Sequence, residues 1–304
     1  MRAISVALVG LCASCASTGP GPTVEPGDLV YLQASSAAEL AYEQDDFGQA
    51  QQLYRRALSR AQAVDDAGLA ADAAYNLAMS EIGLGNYDTA DQLLRQAHYD
   101  ANRASSNTAD IQLVRAKVAF LRLRLPEALI LLDEIVASKS TQSIHLQAMI
   151  LRGQVFCGAG DLDAAKSELW ELEKLVASSR KTLSPSIGAD LAKLEGTVAR
   201  LEGKVDTAAS SFDDEAGLLR IAHRYRDMAY AFARAGEAHR AAGRQALAAD
   251  RFFLAARSLG RLGDTEAAKS FLASSISAAE NADDHDSRIR AQLLLEVITR
   301  RSAP

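Results

Sequence analysis

The chain has 304 residues, 48% of them hydrophobic but only 6% aromatic, with one tryptophan at Trp170. A net charge of -6 is mild and acidic, which argues against a dedicated nucleic-acid binder. Alanine supplies much of the apolar content, and small side chains let helix backbones approach closely, so this is a composition of packed helices rather than strands.

The first predicted element is an export signal. MRAISVALVGLCASC starts positive at Arg2, runs apolar from Ala3 to Leu11 and ends in small residues and cysteine, the pattern of a secretory signal peptide. That run is too short to span a bilayer. Leu11 to Cys15 resembles the lipobox of bacterial lipoproteins, although Cys12 stands where an aliphatic residue is usual. The resemblance implies a signal peptide over 1–14, a lipid on Cys15 and a place in the bacterial cell envelope. Ala16, rather than aspartate, follows the cysteine, which by the enterobacterial sorting rule implies the outer membrane, facing the periplasm. The alternative is ordinary cleavage after Ala16 and a soluble periplasmic protein. Residues 15–27 hold Pro20, Pro22 and Pro26 and read as a flexible tether. With Cys12 removed and Cys15 modified, Cys157 has no disulfide partner.

From Asp28 onward a turn followed by an alanine-marked helix recurs. It reads GNYDTADQLLRQA from Gly85, GDLDAAKSELWEL from Gly160 and GRQALAADRFFLA from Gly243. The marker alanines are Ala50, Ala90, Ala128, Ala165, Ala208 and Ala248, between 37 and 43 residues apart. A fixed period near forty with no strand pattern predicts a helical solenoid. Each preceding helix has a small residue where the pair should cross: Ala38, Ala78, Ala116, Gly153, Gly196 and Gly236. Four residues after each marker comes a large one to fill the space beside it: Tyr54, Leu94, Leu132, Leu169, Phe212 and Phe252. Asp28 can cap the first helix, while Pro126 and Ser184-Pro185 put proline in a first turn, where no amide donor is lost. Gly263-Asp264 opens a seventh pair. Its last helix, capped by Asp286 or Ser287 and ending at Arg301, is expected to turn Ile289, Leu293 and Val297 inward. Arg288, Arg290, Arg300 and Arg301 then face out as the terminal cap that repeat arrays need.

Over residues 28–261 these units resemble tetratricopeptide repeats (TPR), on the strength of the small residue, the alanine and the large side chain in register. The resemblance implies an all-α, right-handed α-solenoid of about seven antiparallel helix pairs over 28–301, with a C-terminal capping helix. It also implies a concave groove, lined by the first helices, in which partner peptides lie. Two features depart from the family: the period exceeds the usual thirty-four, and the proline that closes each unit is missing.

No catalytic constellation emerges, so the chain reads as no enzyme. His98, His145, His223, His239 and His285 are scattered without metal-ligand spacing, and neither a metal nor any other cofactor is expected. The acids around His285 suit a helix N-terminus. Ser178 and Lys181 form an S-x-x-K string without the companion motifs of penicillin-binding enzymes.

The groove-facing side of the first helices is predicted to carry Tyr75, Asn76, Met79, Lys117, Phe120, Gln154, Lys193, Arg200, Tyr230, Arg234 and Arg240. The family's carboxylate clamp is absent: Asn76 matches one element, but Ser35, Glu39, Asp110 and Val114 occupy the others. Acids crowd the first two units and arginines the stretch after Arg220, so an acidic or extended partner is expected near Lys193, Arg200, Arg234 and Arg240, with Tyr75, Phe120 and Tyr230 as apolar anchors. The alternative is a solvated surface paired largely with itself. Two functions stand open. One is a lipid-tethered scaffold binding envelope proteins or peptides, of the kind that serves pilus-secretin assembly or adapts cell-wall enzymes, with membrane contact through the lipid alone and no nucleic acid. The other is the ligand-binding component of an uptake system, enclosing a small molecule.

Overall fold

A computed structural model describes residues 28–138, 140–178 and 183–301. Among them are fourteen helices and no strand: α1 (Leu29–Glu43), α2 (Phe47–Ala63), α3 (Ala67–Gly83), α4 (Tyr87–Arg103), α5 (Ala109–Leu121), α6 (Leu125–Ala137), α7 (Gln142–Ala159), α8 (Leu162–Ser178), α9 (Pro185–Leu201), α10 (Val205–Ile221), α11 (Tyr225–Ala241), α12 (Gln245–Arg261), α13 (Thr265–Asn281) and α14 (His285–Arg301). Consecutive helices pack on one another along the chain, giving an all-α solenoid of seven antiparallel pairs. Residues 1–27, with Cys12, Cys15 and the proposed cleavage sites, lie outside the described residues, as does Lys181.

The forty-residue period has a simple origin. Most helices are 17 residues long, and most connections are three residues with the middle one in the left-handed region. Glycine takes that place at Gly85, Gly203, Gly243 and Gly263, and aspartate at Asp45, Asp65 and Asp283. The turn works because the amide that follows reaches back to a helix carbonyl left without a partner: Asn86 N to Glu81 O is 2.8 Å and Arg244 N to His239 O is 2.9 Å. Longer helices, not longer loops, therefore lengthen the repeat.

The crossings follow the small-against-large rule in most units. All six marker alanines are fully buried. A methyl group built on Gly196 would lie 2.7 Å from the Phe212 ring, and one on Gly236 would lie 2.9 Å from Phe252, so only glycine admits those phenylalanines. Each ring removed from water contributes about 2–3 kcal/mol. The fourth unit departs from the expectation. Gly153 receives Leu194 of α9 at 2.7 Å, while Leu169 is only partly buried. The reason is local stacking: α8 packs on α9 less than any other consecutive pair, and α7 meets α9 directly.

The helix starts agree with the sequence at α1, where Asp28 accepts from the Tyr31 amide at 2.9 Å, and at α9, where Ser184 accepts from Ile187 at 3.4 Å. The last helix corrects it. Asp284, not Asp286 or Ser287, caps α14, accepting from the Ser287 amide at 3.0 Å. Its buried side carries Ala291 and Ile298, whereas Ile289, Leu293 and Val297 are 40%, 58% and 46% exposed. The inward face is thus rotated from the expected one, because position 288, where the marker alanine would recur, is an arginine.

Candidate groove site

The centre of the first-helix surface is formed by α5, α7 and α9, which touch in sequence. Gln154 on α7 donates to the Asp190 carbonyl on α9 at 3.5 Å, and Phe120 on α5 packs against α7 at Gly158. Phe120 is therefore a spacer between helices rather than an open anchor. Lys117 on α5 is exposed and Lys193 on α9 partly buried. Burial holds the Lys193 amine below its ordinary range, Arg234 and Lys117 push the same way, and Glu215 and Asp190 oppose them. Lys117, Lys193, Arg234, Glu215 and Asp190 thus form one electrostatic neighbourhood drawn from four helices.

Within it the cations differ in their freedom. Arg234 bonds Glu215, with Nε at 3.2 Å, and its guanidinium lies 6.0 Å from the Phe212 ring. The Glu215 side chain is only 3% exposed, and burial raises its carboxyl above the usual range even though Arg234 pulls it down. Arg240 pairs with Glu237 on its own helix and stacks over Phe252 at 5.6 Å. Arg234 and Arg240 thus each have an ion-pair partner within the chain, as in the self-paired alternative. Among the described residues, Lys117 and Lys193 find neither an ion pair nor a side-chain hydrogen bond. Asp190 is itself held by Arg224 at 3.2 Å, which also bonds Asp227 at 2.8 Å.

The other expected groove residues distribute along the array. Tyr75, Asn76 and Met79 are half-buried on α3. Tyr75 packs on the N-terminal core, and burial, then the charge of Asp110, raises its hydroxyl. The Asn76 carbonyl accepts from Ser80 at 3.2 Å. Arg200 is exposed near the end of α9, close enough to Cys157 to oppose the rise that burial imposes on that thiol. Tyr230 lies 3.5 Å from Asp264 and edge-on to Phe271 at 6.2 Å. Arg200, Tyr230 and Arg240 do not join the Lys117–Lys193 neighbourhood.

Burial, then the charges of Asp45 and of Asp227 at the start of α11, raises the Tyr42 hydroxyl at the end of α1, a long-range influence that no local sequence signal carries. Clefts of about 440 Å³ beside Leu191, Glu195 and Asp214, and about 600 Å³ beside Val30 and Arg56, include none of the expected groove residues. Among the described residues no group of three His, Cys, Asp or Glu side chains is placed to hold a metal ion, and no helix is long and apolar enough to cross a membrane.

No protein-family model and no curated protein matches the sequence. Solved structures do match the fold. A Rap protein complexed with competence and sporulation factor aligns with a TM-score of 0.60 at 14% identity, over 91% of this chain and 76% of that one. PilW, a type IV pilus biogenesis factor, aligns at 0.51 and 17% identity, over 88% and 100%. A thermophilic TPR protein of Thermus thermophilus aligns at 0.49 and 19%, over 70% and 98%. At these identities the likeness is one of fold alone, an all-α helical-repeat solenoid.

Proposed function

We propose that this TPR-like repeat protein is a non-catalytic adaptor, tethered to the bacterial envelope by a lipid on Cys15, that holds an extended acidic segment of a partner protein in its groove. One observation carries the reading. Lys117 and Lys193 are two ammonium groups without a partner among the described residues, near each other on α5 and α9, and Lys193 is partly desolvated. Leaving the partly desolvated Lys193 without an ion pair costs the fold stability, and a carboxylate placed between it and the exposed Lys117 offsets that cost. Gln154, on the helix between, supplies a polar side chain beside them. Arg234 adds to the field but stays committed to Glu215. The envelope address rests on the N-terminal pattern alone.

The test is crosslinking of the tagged full chain in cells, followed by mass spectrometry of what co-purifies from membranes. One or two envelope proteins should be captured, and Lys117→Glu/Lys193→Glu should lose them. Capture of the same set by the reversed variant refutes the acidic-segment reading. Cys15→Ala should release the chain from the membrane fraction; if it stays there, the lipid anchor is wrong.

A further inference from the structure

The two ends of the solenoid expose what its internal junctions bury. Inside the chain α13 lies on α12, where the Ser275 hydroxyl donates to the Ala249 carbonyl at 2.7 Å. At that junction Ala249, Phe253 and Ala256 on α12 are 0%, 7% and 0% exposed. One period later, at the equivalent places on α14, stand Ile289, Leu293 and Glu296, all exposed because no helix follows among the described residues.

The other end mirrors this. On α3, the residues Ala70, Ala73, Leu77 and Ser80 face the preceding unit and are 4%, 1%, 2% and 0% exposed. Their equivalents on α1 are Val30, Gln33, Ala37 and Leu40. Val30 and Leu40 are 59% and 57% exposed, and Gln33 and Ala37 are exposed too. One end carries the donor half of the repeat junction and the other its acceptor half.

We infer that copies of this chain associate head to tail, α14 of one packing on α1 of the next as α12 packs on α13. Continuing the Ser275–Ala249 contact by one period seats Ile289 on Ala37 of the next copy. The helices run antiparallel, so two turns further along α14 Glu296 arrives beside Val30. There the charge is complementary. The cleft at Val30 is lined by Arg55, Arg56 and Arg60; Arg55 and Arg60 are engaged by Glu81 and Asp28, and Arg56 has no partner among the described residues. Glu296, held among the described residues only by the exposed Arg300 at 3.6 Å, meets Arg56. The four residues of the α1 stripe, Val30, Gln33, Ala37 and Leu40, are uncharged, and on α14 Arg290 is already neutralised by Asp250 at 3.1 Å. Because the two surfaces differ, the contact is heterologous and repeats into an open chain or a ring rather than closing as a two-fold dimer.

Sedimentation velocity on the full chain, from about 1 to 100 µM, tests this. The average mass should rise above that of the monomer with concentration. Ile289→Glu/Leu293→Glu blocks one end and Val30→Glu/Leu40→Glu the other. All four side chains are exposed, so circular dichroism should be unchanged. Each variant alone should be monomeric, and their equimolar mixture should form dimers that grow no further. Glu296→Arg should weaken association about tenfold or more, with recovery on adding Arg56→Glu. A wild-type chain that stays monomeric, a monomeric mixture, or an α1 variant that still self-associates each overturns the inference; the last would mean α14 pairs with itself.

Discussion

Replacing Arg234 by methionine separates a groove cation from a structural one. Glu215 is 2% exposed and depends on Arg234 for two hydrogen bonds. Removing one partner of a buried pair typically costs about 3–5 kcal/mol, because the other charge is left desolvated. Lys193 remains nearby to support the carboxylate, so the lower end, about 3 kcal/mol, is expected at neutral pH. The pH dependence fixes the cause. Burial already lifts the Glu215 carboxyl above its ordinary value of 4.5, and losing Arg234 lifts it further. A carboxylate raised in the folded state contributes its stability below the unfolded value and loses it as pH rises through the folded one. The penalty of Arg234→Met should therefore be small near pH 4.5 and grow toward neutrality. Urea unfolding followed by far-UV circular dichroism at about pH 4.5 and 7.5 measures it, with a gap of at least about 2 kcal/mol expected. Adding Glu215→Leu should recover most of the loss at the higher pH. An equal loss at both pH values, or no recovery in the double variant, would refute a desolvated carboxylate as the source.

Three further outcomes can be read by the same unfolding assay. Gly217 has open space around its missing side chain, so Gly217→Ala should stabilise by about 1 kcal/mol; Gly236→Ala should destabilise by about 1–2 kcal/mol, since the methyl meets the Phe252 ring. Leu123 holds φ 59° at the turn between α5 and α6 and is 81% exposed, so Leu123→Gly should gain about 1 kcal/mol, where a loss would mean the leucine has a packing role. Lys193→Met should raise stability at neutral pH by about 1 kcal/mol or more. Because a lowered lysine value penalises the folded state below that value, this gain should fade as pH climbs toward the unfolded value of 10.5.

The repeat was legible in the chain because packing rules recur: Ala208 with Phe212 and Gly196, or Ala248 with Phe252 and Gly236, announce a crossing each time. Legibility failed where the rule was interrupted. The last helix, SRIRAQLLLEVITRR, offers two apolar stripes at helical spacing, and with arginine at the marker position nothing local chose between them. Ala291, small enough for a close crossing, decided it. Leu169 misled for a related reason, since its neighbour across the crossing was set by how α8 sits on α9. In the groove, the face of each first helix could be read, hence Lys117, Gln154 and Lys193. The ties of Arg234 to Glu215 and of Arg224 to Asp190 cross between helices 19 and 34 residues apart, beyond any periodicity. A list of basic residues therefore could not separate committed charges from free ones.

The evenness of the turns has a mechanical consequence. From α1 to α4, and again from α9 to α14, three-residue corners leave the helices no slack, so each block behaves as a stiff spring of fixed pitch. Between the blocks the rhythm breaks: α5 and α6 shorten to 13 residues, α7 lengthens to 18, and α8 hardly meets α9. Any stretching or unwinding of the molecule is concentrated in that middle section. Lys117 on α5 and Lys193 on α9 stand at the two ends of that section, so the acidic segment proposed above would, by bridging them, brace the array where its pitch is least regular.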